Sequence, residues 1–269
     1  RGTFNDTHGV VMTAHALRHA MQRAALDPAD VEDVVLGCGH PEGATGYNVA
    51  RNAAMSAGCP VTTSGTTINR YCSSGLQSIA VAAGRVVVEG VPVMAAGGVE
   101  SISLVQMGGH FNRFHATEDA LFARMPALWM SMIETAEIVA ERYAVSRDAQ
   151  DAFALESQRR TARAQEGGLF ADEIVPLEAR WKKVDRETGE ESFEMRVADR
   201  DECNRPDTTA EGLASLKPVF RDGQQVPEGR YITAGNASQL ADGASACIVM
   251  ESKEAERRGL EPLGAFRGF

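Results

Sequence analysis

The chain has 269 residues, a formal net charge of −10, 43% hydrophobic residues and five cysteines. That length allows one large or two modest domains with a sizeable core, and the acidic balance argues against a nucleic-acid partner. Cys38, Cys59, Cys72, Cys203 and Cys247 are odd in number and lack metal-ligand spacing, so they suggest neither a zinc cluster nor a complete disulfide framework and fit a reducing cytosol. No apolar run approaches a membrane span, and no signal-peptide pattern precedes the chain.

Ala14, Leu17, Met21, Ala24 and Ala25 mark an amphipathic helix, and Asp27-Pro28 starts a short one with Asp as cap and Pro in the first position. Val34-Val35-Leu36 reads as a buried strand, and Asn48 to Ala57 as a helix stopped by Gly58. A strand is expected over Val61 to Ile68. Between these elements lies Gly39-His40-Pro41-Glu42-Gly43-Ala44-Thr45-Gly46, a glycine-rich connection.

The rest of the chain is organised around the stretch from Gly65 to Ala80. A β-branched run, Thr66 to Ile68, ends in a polar turn holding Cys72, and Leu76, Ile79, Ala80, Ala83, Val86 and Val87 then recur at helical spacing. Ser73, Ser74 and Gly75 suit a first helical turn, where unpaired N–H groups and the positive end of the helix dipole lower a thiol pKa. Glu89-Gly90-Val91-Pro92 turns the chain into a buried strand, Val93 to Ala96, ending in Gly97-Gly98. Strand, helix and strand make a parallel βαβ unit with Cys72 at a strand's carboxyl end, where α/β sheets place their chemistry. The bland alternative is an inert buried thiol. The first hundred residues thus form a β/α domain with helices on both sheet faces.

From about Ser101 to Arg230 the connections lengthen and become more polar. Met107, Met125, Met130 and Met132 surround Trp129, either as ordinary packing or as the wall of an apolar passage. Ser146 is the expected N-cap of a long helix through Ala164, stopped by Gly167-Gly168. Ile174 to Val184 and Ser192 to Val197 flank a five-residue turn and read as an exposed β-hairpin without evident chemistry. Gly243 to Met250 is expected as another buried strand, Lys253 to Arg258 as a short helix closed by Gly259, and Pro262 to Phe266 as the start of a further strand.

Asn69-Arg70-Tyr71-Cys72-Ser73-Ser74-Gly75-Leu76-Gln77 and Gly97-Gly98-Val99-Glu100-Ser101 resemble the nucleophile loop and the strand-loop after it in the thiolases, which are acyl-CoA:acetyl-CoA C-acyltransferases. Four further blocks agree in order: Thr135-Ala136-Glu137, Ser146 to Asp151, Arg205 to Thr209 through Leu216-Lys217-Pro218, and Thr233 to Ser238. Together they cover nearly the whole chain. The resemblance implies a layered α/β thiolase-like fold with an N-terminal domain over 1–103, a loop domain over 104–230 and the start of a second βα domain over 231–269.

It also implies Cys72 as the acyl-accepting nucleophile, and Arg205, Leu216, Phe220, Ala234, Ser238 and Met132 at the site for CoA and acyl-CoA. CoA brings phosphates, adenine and a narrow pantetheine arm, which call for sparse positive charge, apolar faces and small residues. Arg205 alone otherwise reads as a surface salt bridge. No permanent cofactor and no metal is implied, since backbone dipoles hold the oxyanion. Neither nucleic acid nor membrane enters. Thiolases form dimers that often pair into tetramers, with the Gly97 to Ser101 region near the subunit contact.

The resemblance has departures. The Gly39 to Gly46 loop reads like the thiolases' Gly-His-Pro histidine loop but precedes the cysteine, so His40 is expected to be structural. Ser131 and Ile133 stand where many thiolases have histidine and glycine, which leaves acyl-chain preference open. Arg1 to Phe4 resembles the loop after the family's first strand, and the Asn-Glu-Ala-Phe, Gly-His-Pro and Cys-x-Gly loops of the second half are absent, so the chain is expected to be a fragment that does not turn over unaided. Two other readings stay open: a ketosynthase-type condensing enzyme, and a non-catalytic thiolase-like protein that binds acyl-CoA or lipid.

Overall fold

The computed structural model describes residues 2–269; Arg1, the first residue of the Arg1 to Phe4 stretch, lies outside the described residues. In chain order the elements are α1 (Gly9–Arg23), β1 (Asp33–Gly37), α2 (Val49–Ala57), β2 (Ser64–Ile68), α3 (Ser74–Glu89), β3 (Val93–Glu100), α4 (Ile102–Val105), α5 (Asp119–Arg124), α6 (Met132–Arg142), α7 (Arg147–Glu166), β4 (Leu177–Val184), β5 (Glu191–Ala198), α8 (Ala210–Ala214), β6 (Gly243–Met250) and α9 (Ser252–Arg257). They form two compact units. The first holds the chain up to Phe111 with Val175–Arg200 and Leu240–Phe269; the second holds Asn112–Ile174 and Asp201–Gln239.

The first unit is built on a sheet of order β2-β1-β3-β6, with β1 parallel to β2 and β3, and β6 antiparallel to β3. Side chains alternate across a strand, so β1 sends Val34 and Leu36 to one face and Val35 to the other. On the first face they meet Ala14, Leu17 and Met21 of α1 and the alanines of α2; on the second, Ala82 and Val86 of α3. Helices therefore cover both faces, as the apolar pattern predicts.

Local signals account for most element ends. Asn48 caps α2 by accepting from the Arg51 amide, and Gly58 closes it at φ +98°. Asp27 accepts from the Ala29 amide ahead of the Pro28–Asp30 turn. Ser146 accepts from the Ala149 amide to start α7, which runs to Glu166. Strand β2 begins at Ser64 rather than Val61, because Pro60 to Thr63 closes a turn through Thr63 N–H and Pro60 C=O at 3.0 Å.

Other expectations need correction. The hairpin turn spans Asp185 to Glu190, one residue more than expected, because Asp185 Oδ1 accepts from both Glu187 and Thr188 amides and Asp185 N–H bonds to Glu190 C=O. That hairpin, expected within the loop domain, belongs to the first unit, where Asn5 both donates to Lys182 C=O and accepts from its N–H. Strand β6, expected to open a second βα domain, instead completes the first sheet beside β3, and it is half-buried rather than buried because it is an edge strand. No strand forms over Pro262 to Phe266. Pro262 lacks an N–H, Gly264 comes two residues later, and no strand edge among the described residues pairs with the segment.

The second unit has no sheet among its described residues and is organised on α6 and α7. Its buried positions include Glu134, Glu137 and Asp151 beside Ala140, Leu155, Leu213 and Ile232.

Candidate active site

The carboxyl ends of β1, β2 and β3 lie side by side, with Gly37 level with both Ile68 and Gly98. The Cys38 to His40 loop, the Asn69 to Ser73 loop and Glu100 therefore emerge at one end of the sheet. Cys72 sits there in a tight turn, Tyr71–Ser73, immediately before α3, and its side chain is exposed. An inert buried thiol is not what the fold makes of it.

The reason lies in how closely α3 approaches the sheet. Its buried face is Ser74, Ser78, Ala82, Ala83 and Val86, whereas Leu76 and Val87, expected on the core side, are 52% and 82% exposed. A Cβ on Gly37 would lie 2.2 Å from the Ser74 carbonyl carbon, and Ser78 Oγ bonds to Gly97 C=O at 2.7 Å. Small residues on both sides bring the helix mouth down onto the strand ends, and large apolar residues have no room there.

The turn is further specified by Tyr71, a non-glycine residue at φ +46°. Such a conformation is uncommon and persists when its surroundings over-determine it. Here Asn69 Oδ1 accepts from the Tyr71 amide at 2.8 Å, and Ser74 Oγ accepts from the Arg70 amide and donates to Tyr71 C=O at 2.6 Å.

Around this turn stand groups that sequence reasoning did not give a role. Glu100 accepts from Gly39 N–H at 2.8 Å and His40 N–H at 3.2 Å, with Cys38 Sγ at 3.9 Å. Burial and the Glu100 charge push the Cys38 thiol up to about 11, so it stays protonated near neutrality. His40 Nδ1 lies 2.6 Å from Gln106 Nε2 and its ring packs edge-on near Tyr71 and Phe111. The glycine-rich loop thus reaches the Cys72 turn, engaging Gln106 and Glu100 through His40.

All six candidate CoA residues lie in the second unit. Arg205, Leu216, Ala234 and Ser238 are exposed, and Phe220 is half-buried. Among the described residues no carboxylate lies within ion-pair distance of Arg205, so the salt-bridge reading of it has no partner there; its amide donates to Gln158 Oε1 at 2.8 Å. Met132 opens α6 and is 76% exposed, and Met125 is also on the surface, whereas Met107, Trp129 and Met130 are half-buried.

One network connects several of these positions. Arg147 pairs with Asp151 at 2.8 Å and donates to Leu213 and Leu216 carbonyls, while Asn236 Nδ2 donates to Asp151 Oδ1 at 2.9 Å and Asn236 Oδ1 accepts from Thr233 N–H. The Leu216 turn and the Thr233 to Ser238 loop are thereby held to α7.

A second set fixes the loop between them. Glu134 accepts from Gln225 and Val226 amides, and Glu137 from Arg230, Tyr231 and Ile232 amides. Burial alone raises the Glu134 carboxyl, but the Gln225, Gln224 and Val226 N–H groups outweigh it and the net pKa is lowered. The available signal was the spacing of Glu134, Glu137 and Ala140, three apart on one face of α6.

The family pattern described as "Thiolase, N-terminal domain" matches residues 1–253. The chain belongs to the thiolase family. It is 42% identical over 259 residues to the 3-ketoacyl-CoA thiolase of Bacillus subtilis (strain 168), an alignment covering 95% of this chain and 63% of that protein. It is 35% identical over 260 residues to the 3-ketoacyl-CoA thiolase of Aliivibrio fischeri (strain ATCC 700601 / ES114), covering 96% and 62%. The chain thus spans under two thirds of the length of these thiolases. The α/β architecture with its mixed sheet fits the thiolase N-terminal fold, and β6 falls inside the matched region.

Proposed function

We propose that the protein acts as a 3-ketoacyl-CoA thiolase, an acyl-CoA:acetyl-CoA C-acyltransferase, through an acyl-Cys72 intermediate. The observation that carries this reading is an exposed thiol held in a constrained turn at the mouth of α3, on the carboxyl side of three parallel strands. The thiolate attacks the 3-keto carbonyl, and backbone N–H groups at the turn, that of Cys72 among them, are proposed to hold the tetrahedral oxyanion. Collapse breaks the C2–C3 bond, the departing acetyl-CoA enolate takes up a proton, and the shortened acyl group stays on Cys72 as a thioester until a second CoA thiol attacks it, forming the new acyl-CoA and freeing the Cys72 thiolate. The name shared by both relatives supports 3-ketoacyl-CoA as substrate.

Arg205, Leu216, Phe220, Ala234, Ser238 and Met132 are proposed to line the CoA site, in the insertion between β3 and β6. CoA and acyl-CoA are substrates, and no permanently bound cofactor is invoked. The finer expectations, a homodimer or homotetramer in the cytoplasm, rest on the family resemblance and on cysteine usage. Among the described residues no helix is long and apolar enough to cross a membrane. Incubating full-length protein with labelled acetyl-CoA tests the core of the reading. Label is expected on Cys72 and lost in Cys72→Ala; label elsewhere, or none with turnover intact, overturns it.

A further inference from the structure

We propose that Glu100 is a positioning residue for the Cys72 turn, acting through the Gly39 backbone and Asn69. The inference rests on the reading of Cys72 as acyl acceptor. A continuous path of hydrogen bonds runs between the two. Glu100 Oε2 accepts from Gly39 N–H at 2.8 Å, Gly39 C=O accepts from Asn69 Nδ2 at 3.1 Å, and Asn69 Oδ1 accepts from Tyr71 N–H at 2.8 Å. Tyr71 is the left-handed residue directly before Cys72. One carboxylate at the end of β3 therefore ties the loop after β1 to the loop after β2.

The chemistry requires an ionised carboxylate and not merely a polar group. Both of its oxygens face donors: Oε2 meets Gly39 N–H, and Oε1 meets His40 N–H and the Cys38 thiol. Cys38, with its thiol pushed up to about 11, stays a donor near neutrality. An amide in place of the acid turns an NH2 toward at least one of these N–H or S–H groups, and that contact is repulsive. Gly39 then shifts, and Asn69 moves with it. Asn69 is the link that lets a side chain on one strand set the backbone angle on another, and displacement of a reacting group by a fraction of an ångström lowers the rate without weakening ground-state binding.

The test uses full-length protein with Glu100→Gln, Asn69→Ala and the double variant, and reads kcat, KM for 3-ketoacyl-CoA and the pH profile of Cys72 alkylation by iodoacetamide. Each single variant is expected to lose about tenfold or more in kcat with KM within about twofold, to shift the alkylation profile, and to leave the double variant no worse than the weaker single, because both act along one path. Unchanged kcat and alkylation in variants that melt like the wild type overturn the proposal, as do fully additive losses or an effect confined to KM. Should Glu100→Gln fail to fold, Asn69→Ala, on the exposed side of the path, decides alone. Cys72→Ser that retains turnover sinks the nucleophile reading instead, and the alkylation profile of Cys72 in the other variants still reads its positioning.

Discussion

Around Cys72 the backbone is fixed mainly by contact between a helix and a sheet, with the Glu100 carboxylate tied into the loops beside it; around Leu216 and Ala234 it is fixed by charged side chains that reach backbone groups. The first arrangement relies on the absence of side chains, at Gly37 above all and at Gly98, which faces Gly75, and on small residues along α3. The second relies on Glu134, Glu137, Arg147 and Asp151, each buried or half-buried and each hydrogen-bonded. Close packing tolerates no added volume but is indifferent to pH, whereas ionised anchors tolerate volume and depend on their charge. The two regions should therefore fail under different insults.

The largest contrast comes from adding one methyl group to each. Gly37→Ala places its Cβ 2.2 Å from the Ser74 backbone, which has nowhere to go, and about 3 kcal/mol or more of stability should be lost together with acyl uptake at Cys72. Gly235→Ala meets only the tips of Leu213 and Leu216, at 2.5 and 2.6 Å, which can turn aside, so about 1 kcal/mol is expected. Urea unfolding of the two variants reads the difference; equal costs would dissolve the distinction.

Removing a charged anchor comes next. Asp151→Ala leaves Arg147 and Asn236 without their shared acceptor, and a loss of about 2 kcal/mol is expected, with a raised KM for CoA and little change in iodoacetamide labelling of Cys72. A drop in Cys72 labelling as large as the change in KM would mean that the two regions are not independent.

Acid sharpens the comparison further. The Glu134 carboxyl is held below its usual range, so its contribution is complete above that range and fades as pH falls through the lowered value. The melting advantage of wild type over Glu134→Gln should be present at neutral pH and shrink below about pH 4. A gap that stays constant down to acid denaturation counts against the carboxylate as anchor.

The smallest effect is expected at His40. Its ring contributes one bond to Gln106, while its backbone N–H to Glu100 survives truncation, so His40→Ala should cost no more than about fivefold in turnover. A collapse of turnover in a folded variant would make the imidazole part of the chemistry and blur the contrast between the two regions.

Most of the first unit was legible because local signals and global packing agree there. Asn48 and Gly58 bracket α2, Val34 to Leu36 is buried on both faces, and Cys72 falls in the turn between β2 and α3. The orientation of α3 was not legible, since apolar periodicity ranks Leu76 above Ser78 while the sheet admits only the smaller residue. The placement of β6 was hidden for a different reason: pairing with β3 is a long-range choice that no local pattern encodes. In the second unit, the burial of Glu134 and Glu137 was not legible, because only the folded loop supplies the N–H groups that justify burying them.

Strand β3 ends at Glu100 and its antiparallel neighbour β6 does not begin until Gly243. On the ribosome, β1, β2, α3 and β3 emerge early and have the local contacts to assemble, but β3 must then wait with an open edge until the far end of the insertion is synthesised. During that interval Val93 and Ala95 are covered on one side only, and the bare N–H and C=O groups of β3 are a template for another nascent chain. Chaperone demand during biosynthesis should accordingly track translation of the segment between these two strands more closely than the stability of the finished protein.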